Sequence, residues 1–541
     1  MLKVREKQTA SMQTRDKVRL DADIYRPDVD KEFPVLLMRQ PYGREIASTV
    51  VYAHPTWYAA QGYIVVIQDV RGRGTSEGEF NLFINEIEDG EDTVNWAANL
   101  PGSNGKVGMY GFSYQGMTQL YATVNKPAAL KTICPAMIGY DLYTDWAYEG
   151  GAFCLQTNLA WAIQLATETA RLQKNEKAYK ELFAASKNLP LTNPEVLKNF
   201  APDSFYHQWV AHPQADAYWN FSPKYYLQDV DLPMFHIGGW FDTYLRGTLH
   251  LYQDMAARSE YRQQLIVGPW THLPWNRKVG EVDFGVNAMS PVDKMQIAWF
   301  DQFLKGVNTD LSEQPPVWLF EMGTNMWQYF PTLPSNQKSY FLSSSGLASM
   351  RQDEGTLTPI LPETCVNDVL VHDPWRPVPS LGGHAAIPAG VFERSHLDCR
   401  SDVLTYTTEP FTEDLHLAGD VAVEIWCYSD KVSFDLCAVL SEVHPDGRVY
   451  NLTQGYVRQN TNNRVATKIQ LQATCAKIPQ GNALRLSLSA ASFPAYAMNH
   501  GNDKIINKDR LIDAQIITLT VSSGGAFASQ ILLPVVSLGN G

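Results

Sequence analysis

The sequence has no Cys-x-x-Cys pair, no His-Glu-x-x-His and no Cys/His cluster at zinc spacing. A zinc site or a redox dithiol has no ligand set to start from, so no metal and no cofactor is expected. His207 and His212 are five apart, but Pro213 and the aromatic surroundings read as a loop. Seven cysteines, at 134, 154, 365, 399, 427, 437 and 475, are odd in number and scattered. They read as free thiols in a reducing compartment, not as a disulfide framework. Long apolar runs are missing too. YIVVI (63–67) is far too short to span a bilayer, and MLKVREKQTASMQTRD at the start has no apolar signal core. The expectation is a cytoplasmic protein. A basic excess is also absent: 44 Lys and Arg stand against 57 Asp and Glu, a net charge of −13. That weighs against nucleic acid and anionic membrane as partners. There are no internal repeats and no low-complexity linker.

What is present is a long, well-mixed globular chain. Its 541 residues, 45% hydrophobic and 19% charged, suffice for several domains with large cores. Up to residue 140, strand-like and helix-like stretches alternate. PVLLM (34–38), YIVVIQDV (63–70) and Lys106–Tyr110 are short apolar runs, as buried parallel strands should be. EIEDGEDTVNWAANL (86–100) is an amphipathic helix pattern stopped by Pro101-Gly102. Such alternation implies an α/β fold, a parallel sheet covered by helices on both faces. Residues 141–230 change character. Leu155, Leu159, Ile163, Ala166 and Ala170 recur at helical spacing, which reads as an all-helical insertion. Strand signals resume at MFHIG (234–238) and QLIVG (264–268), and AWFDQFLKG (298–306) reads as a closing helix with a glycine stop. From about 335 the texture is all-β: LHLAGDVAVEIWCYS (415–429), FDLCAVLSEV (434–443), LRLSLSA (484–490) and AQIITLTV (514–521) suggest a sandwich or jelly roll. The expected units are 1–140 with 231–330, the insertion 141–230, and a β domain 335–541.

The chemistry centres on GKVGMYGFSYQGM (105–117). Ser113 follows a short strand and precedes a helical stretch, the context of a nucleophile elbow. The usual pattern is G-x-S-x-G. Here Gln115 takes the second glycine's place and Gly116 follows. An ordinary glycine-lined turn gives the same local pattern. Two further residues bear on the choice. Asp242 comes just after MFHIGGWF and His272 just after QLIVGPWT. Each stands past the C-terminal end of a predicted strand, where open α/β sheets place their sites. The order serine, acid, histidine is that of α/β-hydrolases. Taken alone, Asp242 could be a helix cap and His272 a loop residue.

With these residues the chain resembles the cocaine esterase-like (CocE/NonD) hydrolases, related to X-Pro dipeptidyl-peptidases and α-amino acid ester hydrolases. The stretches that carry the resemblance include RQPYGR (39–44), QDVRGRGTSEGEF (68–80), NGKVGMYGFSYQGM (104–117), GGWFDTYLRG (238–247), GPWTH (268–272), DPWRPVPSLGG (373–383) and FPAYAMNHG (493–501). The family elbow is typically G-x-S-Y-x-G, which accounts for the late glycine. The resemblance implies an α/β-hydrolase core with an inserted helical cap and a C-terminal β jelly-roll domain. It implies Ser113 as nucleophile, Asp242 as acid and His272 as base. It also implies an oxyanion hole made by the Tyr42 hydroxyl and the Tyr114 backbone N–H. Outside the resemblance, Tyr42 is simply a loop tyrosine.

The acyl group is harder to read. In the amino acid ester hydrolases two carboxylates closely follow the triad aspartate. Here Thr243, Tyr244 and Leu245 stand there. TDWAYEGGAF (144–153) resembles the stretch that supplies another carboxylate, so Asp145 or Glu149 is a candidate partner for a substrate amine. The plain alternative for either is a surface or capping carboxylate. Aromatics crowd the same regions: Trp146, Tyr148, Phe153, Trp161, Trp240, Phe241, Tyr244 and Trp270. Trp146, Phe153, Trp240, Phe241, Tyr244 and Trp270 are the candidate substrate contacts, and a bulky apolar or aromatic group is expected. The partner is then a small-molecule ester or amide, and a homo-oligomer is left open. Three readings follow: a serine esterase, an amide or peptide hydrolase with the same triad, and a glycan-binding protein with a vestigial triad.

Overall fold

The structure is a computed structural model and describes residues 1–191, 194–502 and 510–537. Apolar runs of strand length form one sheet in its N-terminal half. The strands are β1 (Gln8–Gln13), β2 (Arg19–Tyr25), β3 (Phe33–Gln40), β4 (Ile64–Asp69), β5 (Ser103–Phe112), β6 (Leu130–Ala136), β7 (Met234–Phe241), β8 (Gln263–Thr271), β9 (Val317–Glu321) and β10 (Met326–Phe330). Their spatial order is β1-β2-β4-β3-β5-β6-β7-β8-β9-β10. From β4 to β9 every pairing is parallel, and β1, β2 and β10 close the edges antiparallel. Register places Leu36 beside Val65 and Leu37 beside Val66. Successive residues of a strand point to opposite faces, so these pairs feed two different cores. Leu37 and Val66 pack in one, Leu36 and Val65 in the other.

Helices α1 (Pro55–Ala60), α2 (Glu86–Ala98) and α3 (Tyr114–Thr123) follow strands of this sheet. The chain between β6 and β7 forms α4 (Leu155–Leu172), α5 (Glu176–Lys187), α6 (Glu195–Phe200) and α7 (Phe205–Ala211). Then come α8 (Leu245–Arg258) and α9 (Val292–Phe300). Val94, Met117 and Leu120 cover one face of the sheet, and Tyr58, Met295 and Trp299 cover the other. Each fully buried aliphatic side chain contributes about 1.5–3 kcal/mol relative to exposure.

This is an α/β-hydrolase core with an inserted helical cap and a C-terminal β jelly roll, the fold class expected. Local details differ from the sequence reading. The insertion is not wholly helical, since Tyr148–Glu149 and Ala152–Phe153 pair as a small ribbon. His207 sits in α7, capped by the Ser204 side chain, rather than in a loop. After α9 the chain makes one π turn, Asp301–Lys305, before Gly306 (φ 70°) stops it. LHLAGDVAVEIWCYS forms two strands. Gly419 (φ 122°) breaks it into Leu415–Gly419, in a three-stranded sheet, and Ala422–Ser429, in an eleven-stranded sheet.

The β domain packs directly on the core. Gln472 Nε2 donates to the carbonyls of Trp240 (2.9 Å) and Asp242 (3.0 Å) at the end of β7. The Arg458 and Ala497 N–H groups donate to the Gly150 and Phe153 carbonyls of the cap ribbon. Among the described residues, no helix is long and apolar enough to cross a membrane.

Candidate active site

The C-terminal ends of three parallel strands of one sheet bring the candidate residues together. Ser113 directly follows β5, Asp242 directly follows β7 and His272 directly follows β8. Ser113 has φ 58° and ψ −127°, a conformation that a non-glycine residue adopts only under constraint. Glycines on both sides impose it. A Cβ on Gly111 (φ 141°) would lie 2.5 Å from Gln115 Cβ. A Cβ on Gly116 would lie 2.3 Å from Ile138 Cγ2 and 2.9 Å from the Ala136 carbonyl. The late glycine is therefore where α3 presses on the chain leaving β6. Gln115 keeps a side chain because that chain folds under the turn, to the Ala47 carbonyl (3.3 Å) and the Phe112 N–H (3.4 Å).

Ser113 caps α3, at the positive end of the helix dipole. Tyr114 is the first residue of that helix, so its N–H has no carbonyl four residues back to bond. The Tyr114 ring fixes the turn from beneath. Its hydroxyl donates to Glu86 Oε1 at 2.7 Å, and Arg39 donates to Glu86 Oε2 at 2.6 Å.

His272 Nδ1 and Asp242 Oδ1 are 2.7 Å apart, and Asp242 is fully buried. An ionised carboxylate can only accept, so the Nδ1 proton faces Asp242 and Nε2 is the free ring nitrogen. The edge of Tyr244 meets the imidazole at 5.0 Å and Phe112 meets it at 5.3 Å. Tyr42 stands just after β3, open to the cavity and otherwise enclosed. Trp161 Nε1 donates to its hydroxyl oxygen at 3.0 Å, and the hydroxyl also meets the Ser113 side chain. Burial pushes the Tyr42 phenol up to about 12, against smaller opposing effects of Trp161, Arg73 and Ser113. It therefore remains a donor throughout the neutral range.

Trp161 is set by α4, and α4 is fastened by Arg73. This buried guanidinium reaches the Leu165 carbonyl (3.3 Å) and Thr169 Oγ1 (3.1 Å) and lies 3.8 Å over the Phe80 ring. Leu165 and Thr169 are one and two turns beyond Trp161 on the same helix face.

Ser113, His272 and Tyr42 all line one cavity of about 930 Å³. Of the candidate substrate contacts, Trp146, Phe241 and Tyr244 are in its wall. The other five lie elsewhere. Trp240 packs into the core shared with the β domain and donates to the Phe320 carbonyl. Trp270 is buried behind the sheet and donates to the Ala288 carbonyl. Phe153 belongs to the cap core. Asp145 bonds His250 Nδ1 (2.9 Å) and the Asp141 N–H (2.8 Å). Glu149 holds Arg246 (2.9 Å), His384 Nε2 (2.9 Å) and the Tyr496 hydroxyl (2.6 Å).

The wall also contains residues that sequence reasoning did not select. Trp161 was one aromatic among many. Ile46, Lys278, His384 and Phe392 had no local signal, although His384 directly follows the family-like DPWRPVPSLGG. His384 and Phe392 reach the cavity from the β domain.

Residues 16–274 match the family described as X-Pro dipeptidyl-peptidase (S15 family). Residues 309–531 match the X-Pro dipeptidyl-peptidase C-terminal non-catalytic domain. The chain is 30% identical to a cocaine esterase of Rhodococcus sp. (strain MB1 Bresler), over 96% of this chain and 97% of that protein. Two solved structures share the fold over nearly their whole length. An aminopeptidase from the marine sediment archaeon Thaumarchaeota archaeon has a TM-score of 0.84 at 23% identity, covering 98% of this chain and 97% of its own. An α-amino acid ester hydrolase has a TM-score of 0.80 at 23% identity, covering 99% and 97%.

Proposed function

The chain belongs to the cocaine esterase-like family of serine hydrolases, and from that premise we propose that it cleaves a carboxylic ester with a bulky apolar or aromatic acyl or leaving group. Ser113 Oγ attacks the ester carbonyl while His272 Nε2 takes its proton. Asp242 holds the imidazole in the tautomer that leaves Nε2 free and stabilises the imidazolium that forms. The Tyr42 hydroxyl and the Tyr114 N–H receive the developing oxyanion, each such donor being worth about 10²–10³ in kcat. Collapse of the tetrahedral intermediate breaks the bond to the alcohol oxygen, and His272 returns the proton to it. Water, deprotonated by His272, then frees the acid and Ser113.

One observation carries the reading: the 2.7 Å His272–Asp242 pair borders the same cavity as Ser113, which the turn holds at φ 58°. The aromatic walls at Trp146, Trp161, Phe241 and Tyr244 support a bulky, apolar substrate group. The similarity to a cocaine esterase over nearly the whole chain supports an ester. A fluorophosphonate probe tests the site. Wild type should label and hydrolyse simple aryl esters, and Ser113→Ala should do neither. Equal labelling of the variant would overturn the assignment. Matched ester and amide pairs test the bond cleaved; comparable turnover of the amide would make the protein an acylase.

A further inference from the structure

The charge on the cavity wall is unusual for so acidic a chain. Acids outnumber bases 57 to 44 over the whole sequence, yet among the described residues none that lines the cavity is Asp or Glu. The carboxylates that come near it are already engaged. Asp242 lies behind His272. Asp145 is buried on His250 and the Asp141 N–H. Glu149 is buried on Arg246, His384 and Tyr496. Burial pushes the Asp145 and Glu149 carboxyls up, but these partners more than offset it and hold both below the ordinary range. Both are thus ionised and paired inside the protein, with no free charge to offer a ligand.

Among the described residues that line the cavity there is one Lys and no Arg, so the wall's basic group is a lysine. Lys278 is exposed at the mouth, on the ribbon that follows the His272 loop. Within the described residues its ammonium makes no hydrogen bond and no ion pair at contact distance, and it adds to the attraction that Arg277 exerts on Asp283. The acid opposite it in the ribbon, Asp283, is held by Arg277 Nε at 2.8 Å and by its terminal nitrogen at 2.5 Å. A substrate ammonium in this cavity would lose water, find no carboxylate and face a like charge. A substrate carboxylate could stay partly hydrated at the mouth and pair with Lys278.

Building on the ester-hydrolase reading, we propose that Lys278 is a specificity residue: the preferred substrates are esters whose end remote from the scissile carbonyl carries a carboxylate, and esters with a free ammonium are rejected. The cavity thus selects against the charge that an α-amino ester would bring.

Two sets of phenyl and alkyl esters test this. In one, the acyl chain ends in methyl, carboxylate or trimethylammonium: phenyl hexanoate, the phenyl monoester of adipic acid and phenyl 6-(trimethylammonio)hexanoate. In the other, the same three groups end the alcohol of a benzoate ester. The readout is kcat/KM of each charged ester divided by that of the neutral one, within each variant, so a general loss of activity cancels. In wild type at low salt the carboxylate ester of at least one set should be favoured about fivefold, the scale of a partly exposed ion pair, and the ammonium ester disfavoured. Salt should shrink both ratios. Lys278→Ala should bring the carboxylate ratio near one, and Lys278→Glu should reverse the order. Flat ratios in both wild-type sets, or ratios unmoved by Lys278→Glu, would overturn the proposal while leaving the esterase reading intact. Failure of every ester, the neutral ones included, would instead overturn the esterase reading and this one with it.

Discussion

The indole N–H of Trp161 donates to the Tyr42 hydroxyl oxygen at 3.0 Å. That bond occupies one lone pair of the oxygen and leaves the hydroxyl's own proton to be donated toward Ser113 and the cavity. A donor aimed before the reaction starts needs no reorganisation as charge develops. Trp161→Phe keeps the ring and removes the N–H. It should lower kcat about tenfold with a smaller change in KM, whereas Tyr42→Phe should cost about 10²–10³. The double variant should be no slower than Tyr42→Phe, because Trp161 acts through that hydroxyl. Steady-state kinetics of the three variants on one aryl ester measures this, and additive losses would show that Trp161 acts independently.

The jelly roll reaches the acid of the candidate triad. Gln472 holds the Trp240 and Asp242 carbonyls at the exit of β7. Gln472→Ala would take a donor from two buried carbonyls, of which that of Asp242 keeps the Leu245 N–H at 3.3 Å, at about 1–3 kcal/mol for such a loss, and let the Asp242 segment shift. The expected outcome is a lower midpoint of thermal unfolding together with a several-fold loss of kcat. Asp242→Asn keeps the shape but favours the wrong imidazole tautomer, and should cost about 10³–10⁴ in kcat. Unfolding scans and ester kinetics on both variants separate the two effects: a large kcat loss with an unchanged midpoint is expected of Asp242→Asn alone.

Gly116 explains a departure from the usual elbow pattern. Its missing Cβ lets α3 approach Ala136 and Ile138, while Gln115 fills the position where a glycine would normally stand. Gly116→Ala should destabilise the fold by about 1–3 kcal/mol through overpacking and displace the Tyr114 N–H. Gln115→Gly should create no overlap and lose the bonds to Ala47 and Phe112 together with about 1 kcal/mol of helix preference. Denaturant unfolding of both variants checks the order; a neutral Gly116→Ala would refute the packing account.

The parts of this molecule that were readable in sequence share a cause: their signals are local. The buried strands ending at Ser113, Asp242 and His272 are contiguous apolar runs, and α4 shows its face at helical spacing. The turn at Gly111–Gly116 announces its backbone through its glycines. What was not readable depends on distant residues. His384 and Phe392 become cavity wall only because the β domain docks on the cap. Asp145 and Glu149 look like free carboxylates until Arg246, His250, His384 and Tyr496 arrive from other elements. Trp240 and Trp270 are near Asp242 and His272 in sequence, but their rings pack into cores away from the cavity, with their indole N–H groups on the Phe320 and Ala288 carbonyls. The break at Gly419 is hidden because apolar alternation continues across it.

Glu149 offers a test of the buried network by pH. Burial raises its carboxyl pKa, but Arg246, His384 and Tyr496 outweigh that and bring it to about 2, against an ordinary value of 4.5. A depressed folded-state value means the ionised form is favoured by folding. The contribution, on the order of 3 kcal/mol, is complete above about pH 4.5 and is lost as pH falls toward 2. Glu149→Gln removes the titrating group and leaves Arg246 buried without its anion, at about 3–5 kcal/mol near neutrality. Denaturant unfolding at steps from pH 7 to pH 2.5 should therefore show a wild-type advantage that is constant down to about pH 4.5 and then shrinks. A gap that stays constant to the acid end would mean that Glu149 contributes packing rather than charge, and would remove the reason its carboxylate is closed to a substrate amine.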